Sequence, residues 1–289
     1  MNTIAVIGAT GYLGTFVCKV LEERGFQTRY LVRSKTKLIE AGVSDKSIRQ
    51  VNVTSPDSLK GQLEGVDCVI SCLGITRQKD GLSYMDVDYQ ANLNVLDEAQ
   101  KAGVKKFIYV SVFRGSEFRD VALCDAKERF VDYLKKSQMP HCVIRPTGFF
   151  SDMEDFLDMA RMGRVYLFGK GSQKLNPIHG EDLANFIVDA LKSDESNLNV
   201  GGPQIFSHFD VAELAFSSLQ QNNKTTHLPD TFRKLGLWIG KRFLSESKFG
   251  PVEFFLTVLG NDMVAPSFGR HTLESHFNRI TKGTKGDKS

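Results

Sequence analysis

An α/β protein with a doubly wound parallel sheet is the fold class this sequence predicts, and three observations predict it. The chain opens on a short apolar run, Ile4 to Ile7, followed by glycines at 8, 11 and 14 and then by apolar residues Phe16, Val17, Val20 and Leu21 at helical spacing. Apolar runs short enough for buried strands then alternate with helical stretches about six times over the first 146 residues. Beyond Pro146 the alternation loosens and helical patterns dominate, which predicts a smaller, mainly helical C-terminal region.

The first element is a buried strand, because four consecutive apolar residues are too few to span a membrane and suit a parallel sheet. The spacing Gly8-x-x-Gly11-x-x-Gly14 then reads as a turn between strand and helix. Glycines serve such a turn physically: one reverses the chain, one lets backbone approach an anion, one lets helix and strand pack closely. The helix start adds unpaired N–H groups and a partial positive charge, so the stretch predicts a dinucleotide-phosphate site. Gly25 closes the first helix and Gln27 to Val32 forms the second strand, ending at Arg33-Ser-Lys35. In a doubly wound sheet that strand end faces the adenosine ribose, where basic residues accommodate a 2′-phosphate. Arg33 and Lys35 therefore favour NADP(H) over NAD(H).

Ile48 to Val53 is a third strand, with Asn52 and Val53 expected near the adenine. Ser55-Pro56-Asp57 supplies N-cap, first helical position and first-turn acid for a helix through Leu63. Cys68 to Gly74 is a fourth strand, ending in glycine where backbone meets cofactor. Asp86 to Ala102 is helical with Ala91, Val95 and Ala99 on one face, Val104 to Ser111 is a fifth strand, Cys124 to Lys136 a helix, and His141 to Pro146 a sixth strand. Further on, helices are expected near Met153 to Met162, into Leu191, and over Val211 to Leu219, Thr231 to Phe243 and Val252 to Leu259, with a short strand at Val165 to Phe168 and Leu198 to Val200 pairing back into the sheet. The expected domains are a dinucleotide-binding Rossmann-type domain over 1–150, a C-terminal substrate region over 151–281 and a disordered tail over 282–289.

Composition narrows the partners. Lysine plus arginine number 37 against 34 acidic residues, a net charge of +3 that gives no argument for nucleic acid. Five cysteines, at 18, 68, 72, 124 and 142, have no zinc-ligand or redox spacing, and His271 and His276 lie five apart, so no metal site is expected. Reduced thiols, no signal-like segment before the first strand and no apolar run of spanning length lead to the expectation of a cytoplasmic protein without an integral membrane segment.

The residues Gly8-Ala-Thr-Gly-Tyr-Leu-Gly14, Asp88-Tyr89 through Asn94, Gly103-Val-Lys-Lys-Phe107, Ser111, Ala126-Lys127, Ile144-Arg-Pro-Thr147 and Asp182-Leu-Ala184 resemble, in order, the atypical short-chain dehydrogenase/reductases of the NmrA-like, NAD(P)H-binding branch. Val69-Ile-Ser-Cys-Leu73, Arg145 to Phe150, Val165 to Gly169, Gly201-Gly-Pro203 and Pro266 to Leu273 narrow the likeness to the divinyl chlorophyllide 8-vinyl-reductase group. The resemblance covers nearly the whole chain and implies cofactor contacts from Gly8, Thr10, Gly11, Tyr12, Leu13, Gly14, Cys72, Leu73, Gly74, Ser111, Lys127, Pro146 and Phe149. Lys127 would hold the nicotinamide ribose hydroxyls, and Ser111 would bond the ring amide or substrate, making these two the catalytic candidates.

One departure limits the chemistry. Classical members of the superfamily carry a tyrosine four residues before the lysine, and position 123 here is Leu. Leucine gives no proton, which disfavours carbonyl reduction by the tyrosine mechanism. Reduction of a conjugated carbon–carbon double bond asks less, because the second proton can come from water or another acid, and the vinyl-reductase group lacks that tyrosine too. The expected function is an NAD(P)H-dependent reductase of a conjugated, apolar small molecule, with Phe232, Trp238, Phe243, Phe249, Phe254 and Phe255 lining a pocket or filling the core. The same missing tyrosine fits two alternatives, a non-catalytic NADP(H)-sensing module acting on a protein partner and a structural or assembly protein.

Overall fold

The computed structural model of the chain describes residues 2–75 and 81–286. In chain order its regular elements are β1 (Thr3–Ile7), α1 (Tyr12–Glu23), β2 (Gln27–Val32), α2 (Thr36–Glu40), β3 (Ile48–Gln50), α3 (Pro56–Leu59), β4 (Cys68–Ser71), α4 (Asn92–Lys101), β5 (Lys106–Val110), α5 (Ala122–Lys136) and β6 (His141–Pro146). There follow α6 (Glu154–Arg161), β7 (Val165–Phe168), β8 (Lys174–Leu175), α7 (Gly180–Asp189), β9 (Asn197–Val200), β10 (Phe206–Ser207), α8 (His208–Ser218), β11 (Thr225–Leu228), α9 (Asp230–Phe243), α10 (Glu246–Val258) and α11 (Leu273–Gly286). Two compact units divide the chain: Met1–Arg145 with Leu183–Leu198, and Pro146–Asp182 with Asn199–Ser289.

The first unit is built on a parallel sheet in the order β3-β2-β1-β4-β5-β6-β9. Its register is fixed by pairs such as Ile7 with Leu31, Ile7 with Ser71 and Ile70 with Ile108. Both faces are covered by helices, so the strands read as unbroken apolar runs: Ile4, Ala5, Val6, Cys68, Val69, Ile70, Phe107 and Ile108 are fully buried. Leu198 to Val200 does return to the sheet, as β9, with Val143 N–H donating to Ser196 O at 2.9 Å and Thr147 N–H to Val200 O at 3.1 Å. Strand order reverses between β1 and β4, and there, beyond the carboxyl ends of the strands, such sheets open a crevice for ligand.

Several element boundaries differ from the sequence reading. β3 stops at Gln50 and β4 at Ser71, before the residues expected to complete them, and α3 ends at Leu59. The helix expected over Asp86 to Ala102 has two parts, a π-helical segment Met85–Ala91 and then α4. The Asn92 side chain explains the wide turn: it is fully buried and its amide donates to the carbonyls of Val87 and Asp88 at 3.2 and 3.0 Å while its own oxygen accepts from Ser71 Oγ at 2.6 Å.

The second unit is mainly helical, α6 and α8 to α11, with two small sheets, β10 with β8 antiparallel and β11 with β7 parallel. Buried Asn176 ties its loops together, donating to the carbonyls of Gly202 and Ala265 at 3.1 and 2.9 Å. Helix α11, absent from the sequence reading, runs into the segment expected to be a disordered tail, of which 287–289 lie outside the described residues. No described helix is long and apolar enough to cross a membrane.

Candidate functional site

Gly8 leaves β1 at φ +80°, a conformation glycine adopts freely, and a Cβ there would lie 2.9 Å from the Cys72 carbonyl oxygen. Gly11 N–H donates to Gly8 O at 3.0 Å and closes the turn. On Gly14 a Cβ would fall 2.1 Å from the Gly8 oxygen, so α1 can start against the turn only with glycine at that position. The first N–H groups of α1 have no acceptor inside the helix, and its first turn carries no acidic side chain. The three glycines thus make a cradle for an anion, with Thr10 half-buried, Leu13 in the core and Tyr12 exposed edge-on to Phe16.

The cradle continues along β4. Cys72 N–H donates to Ile7 O at 3.0 Å and Leu73 N–H donates to Ser71 Oγ at 3.3 Å, which keeps Cys72, Leu73 and Gly74 beside the glycine turn. Burial pushes the Cys72 thiol up to about 12 despite the nearby Lys127, so it remains protonated at neutral pH. At Gly74 a Cβ would meet Asp88 Oδ1 at 2.6 Å and Lys127 Nζ at 2.8 Å. Positions with no room for a side chain therefore run from Gly14 and Gly8, against backbone, to Gly74, against the ends of Asp88 and Lys127.

Lys127, on α5, is not a solvated helix lysine. Its side chain is 12% exposed and its ammonium lies 2.9 Å from Oδ1 of fully buried Asp88 in the π-helical segment. Asp88 Oδ2 accepts from Ile75 N–H at 3.2 Å. The ammonium also stands 5.4 Å from the centroid of the Tyr109 ring. Burial works most strongly against the charge on Lys127, but Asp88 and Tyr109 together outweigh it and hold the group above the ordinary lysine range. The Tyr109 hydroxyl is buried, close enough to the ammonium to respond to it, and has hydrogen-bond geometry with no described group. Burial pushes that phenol well above its usual range. Leu123, one turn before Lys127, is buried.

Ser111 follows β5, and its hydroxyl donates to Glu128 Oε1 at 2.9 Å. Glu128 is buried and paired with Arg145, whose Nη2 donates to Glu128 Oε2 at 2.9 Å. Arg145 reaches on to Asn197 Oδ1 at 2.8 Å and Val112 O at 3.2 Å. The Ser111 proton is thus committed to an internal ion pair, and Gly115 is small because a Cβ there would lie 2.9 Å from Glu128 Oε1.

At the end of β2, Arg33 is exposed and Lys35 Nζ pairs with Asp45 Oδ1 at 2.8 Å. Asn52 accepts from Thr54 N–H and Oγ1 at 3.3 and 2.8 Å, and the Val53 carbonyl accepts from buried Asn94 at 3.0 Å. The parallel register thus brings Gly8, Arg33, Cys72 and Ser111 to one edge of the sheet. Pro146 and Phe149 lie in the second unit, Pro146 buried and Phe149 half-buried with its N–H on Asp152 Oδ2 at 2.8 Å.

Asp88, Glu128 and Arg145 are missing from the sequence-derived site, though Asp88 left a signal. It lies three residues before Ala91 on the apolar stripe shared with Val95 and Ala99, and a carboxylate on a buried stripe needs a partner. Asp182 has a structural task in the second unit. Its Oδ2 accepts the N–H groups of Arg270 and His271 at 3.0 Å each and its Oδ1 lies 2.8 Å from His271 Nδ1. Among the described residues, His179, Glu181 and His271 have potential ligand atoms within 4.8 Å of one another. The rings of His179 and His271 stack, 4.2 Å apart with planes at 23°, and nearly parallel rings do not converge their lone pairs on one ion.

Comparison with known proteins places the family and the fold. The sequence model of the NAD(P)H-binding family matches residues 8–194. The chain is 26% identical to the chloroplastic divinyl chlorophyllide a 8-vinyl-reductase of Arabidopsis thaliana, over 96% of this chain and 76% of that protein. It is 25% identical to the photosystem II assembly factor Ycf39 of a Synechocystis strain, over 78% of this chain and 70% of that one. Among solved structures, the triphenylmethane reductase of a Citrobacter species complexed with NADP(H) superposes with a TM-score of 0.72 at 19% identity, covering 96% of this chain and 99% of its own, a likeness of fold.

Proposed function

We propose, from the premise that the chain belongs to the NAD(P)H-binding family, that it reduces a conjugated, apolar small molecule with a nicotinamide cofactor held along the line from Gly14 to Lys127. The observation that carries this reading is the pairing at the far end of that line: an ammonium fixed by buried Asp88, one turn from a leucine. The glycine cradle fits a diphosphate, since Cβ atoms at Gly8 and Gly14 would close it. Arg33 and Lys35 at the end of β2 support a preference for NADPH, with Lys35 exchanging Asp45 for a 2′-phosphate. When bound, the reduced nicotinamide supplies a hydride to an electron-poor carbon.

The chain's own residues bind and orient. Lys127 holds its ammonium 2.9 Å from the Asp88 carboxylate and would turn N–H groups to the ribose hydroxyls, its charge in place before any ligand arrives. Leu123 holds no proton at the position where carbonyl reductases have their acid, so protonation of the product falls to solvent. Ser111 steadies Glu128 and Arg145 behind this end of the site. Relatives named as vinyl-reductases support a carbon–carbon double bond as the target.

The test combines binding and turnover. Fluorescence titration is expected to give tighter binding of NADPH than NADH, and oxidation of NADPH is expected with at least one member of a panel of enones, quinones, triphenylmethane dyes and divinyl tetrapyrroles. NADH bound as tightly as NADPH overturns the cofactor preference; tight NADPH binding without turnover of any acceptor overturns the reductase reading. That second outcome supports the alternative favoured by the Ycf39 likeness, a cofactor-binding assembly protein with a protein partner.

A further inference from the structure

Helix α9 exposes an apolar stripe at intervals of three and four, Phe232, Leu235, Ile239 and Phe243, with Trp238 beside it; Phe232, Trp238 and Phe243 are 59%, 63% and 68% exposed. This is not a face awaiting α10. The helix already packs by another side, where Gly240 is close enough to Phe249 that a Cβ would fall among its ring atoms and where Arg233 donates to Leu256 O at 3.0 Å. Of the aromatics expected to line a pocket or fill the core, Phe249 is buried and Phe254 and Phe255 are half-buried, while Phe232, Trp238 and Phe243 face outward.

Charge accompanies the stripe. Helices α9 and α10 together hold five basic side chains, Arg233, Lys234, Lys241, Arg242 and Lys248, and three acidic ones, Asp230, Glu246 and Glu253, in a chain whose net charge is only +3. Arg233 is buried on Asp230 at 2.6 Å and Lys241 pairs with Glu253 at 3.1 Å; Lys234, Arg242 and Lys248 are exposed, Lys234 with Asp230 at 3.3 Å. The Arg242 guanidinium stands 5.7 Å from the Phe243 ring centroid, its stem along the apolar face and its charge at the rim.

We propose that α9 lies on an anionic lipid surface, its Phe, Leu, Ile and Trp side chains among the upper acyl segments and Lys234, Arg242 and Lys248 on the headgroups. An aromatic and aliphatic stripe rimmed by lysine and arginine is the make-up of helices that lie in a membrane interface without spanning it. A second copy of the chain fits less well. The stripe is one helix wide and roughly 16 Å long by helical rise, well short of the ~800 Å² per partner of a stable dimer. Two-fold pairing would also set Arg242 of each copy against the same cations of the other. The inference is independent of the reductase reading.

Trp238 is the chain's single tryptophan and reports on this face alone. Titration with vesicles of phosphatidylcholine containing 30% phosphatidylglycerol is expected to shift its emission to the blue and to carry the protein with floating vesicles. Binding is expected to weaken at least tenfold on pure phosphatidylcholine and in Phe232→Ser/Phe243→Ser, whose unchanged thermal midpoint certifies the fold. An unshifted spectrum at millimolar lipid overturns the proposal. So does full-strength binding by the double variant, or a blue shift that grows with protein concentration and a doubled mass in the absence of lipid.

Discussion

Substituting Gly14 by alanine tests the link between the glycine turn and the cofactor. The added Cβ would stand 2.1 Å from the Gly8 carbonyl oxygen and 2.9 Å from Ala9 Cα, both backbone atoms that cannot rotate away. Either the turn or the start of α1 must retreat by roughly 1 Å to restore ordinary contact, an overpacking cost of about 1–3 kcal/mol. Urea unfolding is expected to show that loss, and the thermal midpoint to fall by several degrees. The same retreat misaims the first N–H groups of α1. Losing one hydrogen bond to a charged oxygen costs about 1.5–3 kcal/mol, so NADPH affinity is expected to drop roughly ten- to a hundredfold. Gly25→Ala is the control. Gly25 also has a left-handed φ, +75°, but open space where its Cβ would lie, so about 1 kcal/mol of stability is lost with no change in affinity. Wild-type NADPH affinity in Gly14→Ala, or an equal loss in Gly25→Ala, refutes the assignment of the turn to the cofactor's phosphates.

Three further outcomes follow from the site and its surroundings. Asp88→Asn strands the buried Lys127 ammonium and is expected to cost about 3–5 kcal/mol in urea unfolding, while Asp88→Leu combined with Lys127→Met recovers most of it; equal losses in single and double variants contradict the pairing. Ser111→Ala is expected to lose about 1–2 kcal/mol of stability with NADPH affinity unchanged, because the hydroxyl serves Glu128; a selective loss of cofactor binding returns Ser111 to the ligand. His179 and His208 are held down to about 4, chiefly by burial. Unfolded histidine titrates near 6.5, so between about pH 6.5 and 4 the unfolded chain binds protons that the folded chain refuses. Stability is therefore expected to fall on acidification through that window, by up to about 1.4 kcal/mol per pH unit for each histidine, and to level off above it. Urea midpoints at pH 7.5 and 5, with His208→Gln flattening the difference, check this.

The fold class was legible because its signals are local. Gly8, Gly11 and Gly14 have fixed backbone tasks, and the fully buried strands leave short apolar runs bounded by turns and alternating with helices. Boundaries were less legible, because where β3 and β4 end is set by the strands they pair with and not by their own residues. The π-helical segment was invisible because what selects it is Asn92, folded back onto two carbonyls and held by Ser71 from a distant strand, and not a pattern within the segment itself. Lys127 was found by its place in a motif, but its partner was not, since nothing local joins residues 88 and 127. The same holds for Ser111, whose partner Glu128 is buried only because Arg145 comes to it from β6.

The ion pair of Lys127 and Asp88 also decides what this scaffold can be converted into. Where a tyrosine serves as acid, the neighbouring lysine's uncompensated positive charge lowers the phenol's pKa and readies it for proton transfer. Here that positive charge is largely cancelled by a carboxylate 2.9 Å away, so a phenol introduced at position 123 would experience little net field. Leu123→Tyr alone therefore leaves a carbonyl reductase unfinished, and the exchange that completes it is at Asp88, a residue on another helix, 35 positions earlier in the chain.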